Sequence, residues 1–130
     1  MQGIRTWLRD RPDQAAAAMA QNRSFIFFRE APVADPALGQ IAAAKVPLVS
    51  GRSLAVDRTL HSFHVPVWVE TVLPDGSPFR RLLIAHDTGS AIVGPARGDI
   101  FFGSGDAAGE IAGRMRARGR FVVLMPREAA

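Results

Sequence analysis

Leu82 to Gly105 reads LLIAHDTGSAIVGPARGDIFFGSG, two apolar runs separated by a region that holds Gly89, Gly94, Pro95 and Gly98. The first run, closing in Asp87-Thr88-Gly89-Ser90, reads as a buried strand that delivers a carboxylate to its exit, where Gly89 allows backbone conformations that a side chain would forbid. Asp99 stands twelve positions after Asp87 and directly before Ile100-Phe101-Phe102. The chain therefore turns back and re-enters a core beside the first acid, and the spacing predicts two carboxylates in one cleft.

Upstream of this stretch, Val65 to Val72 and Phe79 to Ala85 read as strands joined by a turn with the hairpin signal Asp75-Gly76. Val67 and Val69 alternate with Trp68 and Glu70, the pattern of a half-buried strand. Lys45 to Asp57 reads as two strand pieces around Ser50-Gly51, the second ending in Asp57, a third acid at a strand exit. An ion pair with Arg58 or Arg52, or a turn cap, are the bland roles open to Asp57. Residues Ala31 to Ala44 read as a connector without chemistry, and Ser24 to Phe28 as a strand. Gly3 to Ala20 reads as helix broken at Pro12, with Asp13 as a cap and Trp7 as a core residue, a sugar subsite being its alternative.

Downstream, Asp106 reads as the cap of a helix whose Ala107, Ala108, Ile111, Ala112 and Met115 share one face, with Glu110 and Arg114 paired on the other. The isolated Gly-x-Gly at Gly103 to Gly105 lacks the rest of a phosphate-binding fingerprint. Phe121 to Met125 reads as a closing strand ended by Pro126. About six or seven short strands with a helix at each end predict a small closed barrel, because closure removes exposed sheet edges.

The 130 residues make one domain, with 48% hydrophobic and 22% charged residues as in ordinary globular chains. Lys and Arg outnumber Asp and Glu by 16 to 12, but the arginines are scattered from Arg5 to Arg127, which argues against nucleic acid as a partner. With no cysteine there is no disulfide, thiolate metal site or lipid-bearing cysteine. MQGIRTWLRDRPDQ lacks the apolar core of a signal peptide, and no stretch reaches the ~20 apolar residues of a membrane span. The chain reads as soluble and without an export signal. His61 and His64 stand three apart with no HExxH beside them, so neither a metal nor a cofactor is expected.

Two families share part of this sequence. Asp87-Thr88-Gly89-Ser90 after LLIA resembles the active-site tetrad of aspartic proteases, which would require a dimer of so short a chain. That match is confined to this stretch, and His86 stands where the family has an apolar residue. SLAVDR from Ser53 to Arg58, the strand PVWVET, LLIAHDTGSAIVGPARGDIFFGSGDAAGEIAGRM and the closing FVVLMP together resemble the three-aspartate domain of the membrane-bound lytic transglycosylase A (MltA) family. IRTWLR and NRSFIFFRE are similar to the segment before that domain.

The second resemblance implies a double-psi β-barrel over residues 31–130, preceded by a helical lead-in and first strand over 1–30. It implies cleavage of peptidoglycan between N-acetylmuramic acid and N-acetylglucosamine with a 1,6-anhydro product, and location in the periplasm or cell envelope. Asp99 matches the family's catalytic acid and Asp87 its supporting carboxylate. Asp57 matches the third aspartate, in a structural role, and Thr88, Gly89, Ser90 and Gly94 fall in the loop that would orient acids and sugar.

A substrate that supplies its own nucleophile needs one principal acid, not the usual pair. Asp99 would have to carry a proton near neutral pH, which desolvation by Ile100, Phe101 and Phe102 and a charged Asp87 would favour. His64 stands where the family usually has glycine. The family's inserted domain, the far wall of its glycan groove, is expected upstream of this sequence, which then reads as the C-terminal portion of a longer enzyme. A non-catalytic wall-binding or structural fragment is the competing reading.

Overall fold

The computed structural model describes residues 2–24, 27, 30–32 and 35–127, in two units, Met1–Pro32 and Val33–Ala130. Of the strand expected at Ser24 to Phe28, Phe25, Ile26 and Phe28 lie outside the described residues.

In the first unit, α1 (Gln2–Asp10) and α2 (Pro12–Ala20) are separated where Pro12 starts a new helix. Proline is suited to that first position because its missing N–H would have no partner there. Asp13 accordingly sits in the first turn, where its charge suits the helix dipole, and makes no capping hydrogen bond. Trp7 is not a core residue: it is 38% exposed, with the Arg11 guanidinium 5.3 Å from its ring.

The second unit is mainly β. A two-stranded antiparallel sheet joins β1 (Leu38–Ile41) to β2 (Pro47–Val49), and a curled five-stranded sheet runs β6-β3-β5-β4-β7. Its members are β3 (Ser53–Val56), β4 (Pro66–Val72), β5 (Pro78–Asp87), β6 (Gly98–Ile100) and β7 (Arg120–Val123), with α3 (Asp106–Arg114) before the last.

The β4/β5 hairpin is the longest pairing, from Pro66 opposite Ile84 to Val72 opposite Pro78. Asp75 closes its turn by accepting hydrogen bonds from the Ser77 N–H at 2.9 Å and hydroxyl at 2.7 Å. Strand alternation sends Val67, Val69, Leu83 and Ala85 to one face, where they pack with Leu54, Val56 and Phe79 as the core. Burying such aliphatic side chains contributes roughly 1.5–3 kcal/mol each.

β1 lies in the stretch expected to be a connector. Its Gly39 is pressed against Phe101, whose ring would lie 2.5 Å from a methyl added there. Long-range packing, not local propensity, selects this strand. At α3, Gly105 occupies the cap position and Asp106 the first turn, without a side-chain cap bond. Glu110 and Arg114 do pair, at 3.4 Å. Among the described residues, no helix is long and apolar enough to cross a membrane.

Candidate active site

The mixed pairing of β3 decides where the acids emerge. β5 runs parallel to β3, so Asp57 and Asp87, each at the exit of its strand, leave at the same end of the sheet. β6 runs antiparallel to β3 and starts from that end, with Asp99 opposite Ala55 and Gly98 opposite Val56. Ala55 also faces Asp87. Two strand spacings of ~4.8 Å put the Asp87 and Asp99 backbones on the order of 10 Å apart, on either side of Ala55.

At that end the three carboxylates have separate surroundings. Asp57 is nearly buried and accepts hydrogen bonds from the Thr59 hydroxyl at 2.6 Å, the Thr59 N–H at 2.9 Å and the Gly94 N–H at 2.8 Å. These bonds, the Thr59 hydroxyl first, hold its carboxyl below the ordinary range, and the charge of His61 acts in the same direction. Arg52 is engaged elsewhere, donating to the Leu82 carbonyl at 3.2 Å. Of the roles open to Asp57, the structure selects the turn cap.

Asp87 Oδ1 accepts from the Ala43 N–H at 3.1 Å, which ties it to the loop after β1. Asp99 is open: its side chain is 59% exposed and its Oδ1 lies 3.2 Å from the Arg97 guanidinium. The desolvation expected from Ile100 is missing because the strand alternates, turning Ile100 toward Leu54 and the core and Asp99 away from it. Phe101 is turned instead onto Gly39.

Asp99 lies on the rim of a cavity of about 690 Å³ between the two edge strands of the curled sheet. Ile100 and Phe102 line it from one side, Phe121 and Gly119 from β7 and its approach, and Thr71 from β4. The edges come close: a methyl on Gly98 would lie 3.1 Å from the Phe121 ring. Asp57 and Asp87 are not among the lining residues, so of the three acids Asp99 alone contributes to the rim. A larger apolar cavity of about 840 Å³ between α1 and α2 is lined by Ile4, Trp7, Leu8 and Met19 and contains no carboxylate.

The loop from Thr88 to Arg97 is pinned by three contacts. The Thr88 hydroxyl donates to the Val56 carbonyl at 2.8 Å, Gly94 binds Asp57, and His61 Nε2 lies 2.8 Å from the Pro95 carbonyl. Thr88 thus acts as a tether, while Ser90 is exposed. Gly94, with φ 115°, and not Gly89, is the loop glycine in the left-handed region.

His64, at φ 68°, adopts a conformation that glycine favours, and its ring meets that of His86 edge-on at 5.8 Å. His86 Nδ1 lies 2.9 Å from the buried Ser53 hydroxyl. Burial, and then the nearby His64, push His86 below its usual value. Among the described residues no cluster of His, Cys, Asp and Glu is able to hold a metal ion. Arg97 and Arg116, which share the cavity with Asp99, escaped the motif reading. Arg97 had a signal in its place two residues before Asp99, just ahead of β6.

A mixed sheet that gathers three aspartates at one end defines the class: residues 52–125 match the family model of the 3D domain, and residues 1–29 that of the MltA specific insert domain. A membrane-bound lytic murein transglycosylase from Agrobacterium tumefaciens is 55% identical, over 96% of this chain and 34% of its own, with a TM-score of 0.80. MltA from Neisseria gonorrhoeae is 38% identical over 99% of this chain and 32% of its own, TM-score 0.83. Escherichia coli MltA, solved with bound chitohexaose, is 28% identical over 98% of this chain and 39% of its own, TM-score 0.81. The chain belongs to the MltA family of lytic transglycosylases. It spans about a third of the length of the solved structures it matches. No curated protein sequence matches it.

Proposed function

We propose that this chain carries the acid of a peptidoglycan lytic transglycosylase, with Asp99 as general acid and then general base. The observation that carries the reading is the position of Asp99 as the one of the three acids that lines the cavity between the converging sheet edges. Protonated Asp99 would donate to the glycosidic oxygen as the bond from muramic C1 to that oxygen breaks. The resulting carboxylate would take the proton of the muramic C6 hydroxyl as its oxygen closes on C1. The products are an N-acetylglucosamine end and a 1,6-anhydromuramoyl end, with no water consumed and Asp99 returned to its starting state.

Glycan entering the cavity would meet Asp99 beside Arg97, the group that now pairs with it. Asp87 supports by position, holding the loop after β1 against the exit of β5. Asp57, Thr88 and Gly94 fix the loop that leads into β6. Residues 31–130 would form a double-psi barrel, residues 1–30 its lead-in, and the site of action would be the cell envelope.

The ion pair between Arg97 and Asp99 favours a second reading, a wall-binding piece that does no chemistry by itself. Mass spectrometry of peptidoglycan incubated with the chain and with Asp99→Asn separates the two. Anhydromuramoyl products from the first and none from the second establish the activity and its acid. A folded chain that binds glycan and releases no anhydro product leaves the binding reading.

A further inference from the structure

Asp99 shares its cavity with two arginines that differ in what they already hold. Arg97 is paired with Asp99 at 3.2 Å. Arg116 lines the same cavity from the segment after α3 and, among the described residues, makes no ion pair. Among the described residues, Glu70 is held by the Trp68 indole N–H and Arg120, and Glu110 by Arg114.

The chain is anchored two and three residues beyond Arg116. The Thr71 hydroxyl donates to the Arg118 carbonyl at 3.0 Å, and Gly119 lies so near β4 that a methyl there would be 3.0 Å from the Glu70 carbonyl oxygen. A cation held on a fixed rim, opening onto a cavity and without a carboxylate of its own, suits a carboxylate brought by the ligand. Its planar guanidinium can donate two parallel hydrogen bonds to one such group.

Muramic acid supplies one. Its lactyl ether stands on C3 of the same ring whose C1 would be attacked, and ends in a free carboxylate or in a peptide with carboxylates of its own. A polymer of N-acetylglucosamine alone has neither. We propose that Arg116 is a specificity-determining residue that binds the carboxylate carried by the muramic acid side arm and so sets Asp99 against the muramic glycosidic bond. This rests on the functional reading above.

The test is equilibrium binding by calorimetry to the whole chain, which does not depend on turnover. The ligands are the β-1,4 hexamer of N-acetylglucosamine, a muramic-containing oligomer with free lactyl groups, and the same oligomer with stem peptides. The wild-type chain is expected to bind a muramic ligand about tenfold tighter than the neutral hexamer. Arg116→Gln should abolish that difference without weakening the neutral hexamer. Arg118→Gln, which removes the same charge two residues away and outside the cavity, should keep it.

Preference for the free lactyl form or for the peptide form identifies which carboxylate is read, and either supports the proposal. Equal discrimination by wild type and Arg116→Gln overturns it, as does an equal loss in Arg118→Gln. Discrimination without anhydro products would remove the catalytic reading and leave the recognition standing. Failure to bind any of the three glycans would remove both.

Discussion

Replacing Gly98 by alanine should destabilise the chain, although the same replacement at Gly109 should stabilise it. An added methyl at Gly98 would lie 3.0 Å from Leu54 Cδ1, 3.1 Å from the Ala55 carbonyl oxygen and 3.1 Å from Phe121 Cε2. None of the three can yield freely: Leu54 is fully buried, Ala55 belongs to the paired strand, and Phe121 comes from the opposite sheet edge. Overpacking of this kind costs about 1–3 kcal/mol, and the lower entropy of the unfolded alanine chain returns about 0.4–1 kcal/mol.

The net is a loss of about 1–2 kcal/mol, or a fall in Tm of about 5–12 °C for a unit of this size. Gly109 sits in α3 with nothing within 4 Å of the added methyl, so there alanine should gain about 0.5–1 kcal/mol. Thermal melts of both variants, followed by circular dichroism beside wild type, read the two signs directly. A Gly98→Ala chain that melts at or above wild type would refute the claim that the sheet edges close on Phe121. Relaxation by movement of β6 would instead carry Asp99 with it and alter glycan binding.

Asp57→Asn should lower stability at neutral pH and flatten its acid limb. The folded-state value of Asp57 is below its unfolded 3.8, so its contribution is present above 3.8 and disappears as pH falls through the lowered folded value. Urea midpoints from about pH 5 down to about pH 2 should converge for wild type and variant, and parallel curves would remove Asp57 as the source. His86 is pushed down by burial and by His64, so its folded value lies below the unfolded 6.5 and folding resists its protonation. Stability from this group is therefore complete above 6.5 and declines as pH drops from there through the lowered folded value. In His86→Gln, which can still hydrogen-bond to Ser53, that decline should vanish from thermal melts, and an unchanged slope would point to another group.

The hairpin of β4 and β5 was legible because its evidence is local: alternating Val67 and Val69, a turn at Asp75-Gly76, and an apolar return strand. So were the break at Pro12 and the pair of Glu110 with Arg114. What escaped depends on residues distant in sequence. β1 contains a glycine and a glutamine and is a strand because β2 and Phe101 pack on it. Strand pieces on both sides of Ser50-Gly51 were expected, but nothing local says that β2 turns back to β1 while β3 inserts between β5 and β6. The caps expected at Asp13 and Asp106 lie two positions and one position earlier, at Arg11 before Pro12 and at Gly105. The spacing of Asp87 and Asp99 led to an expectation of two carboxylates in one cleft; all three acids stand at one end of the sheet, and Asp99 alone of the three lines the cavity. Which of them faces the cavity required the side-chain partners.

Those partners also show what the two less exposed aspartates hold in place around Asp99. β6 is only three residues long, and its hydrogen bonds to β3 alone would leave its register weakly set. The preceding loop sets that register. Asp57 grips Gly94 from the end of β3, and Thr88 grips Val56 on the same strand. Gly94 can serve there because its φ of 115° turns the chain back and its N–H points into the Asp57 carboxylate. With the loop fixed at both ends to β3, the next strand must enter with Gly98 beside Val56 and Asp99 beside Ala55. A slip of one residue would exchange faces, sending Asp99 toward Leu54 and the core. Asp57 therefore acts through geometry: its own oxygens are consumed by Thr59 and Gly94, and the loop they hold helps to set the side of the sheet on which Asp99 stands.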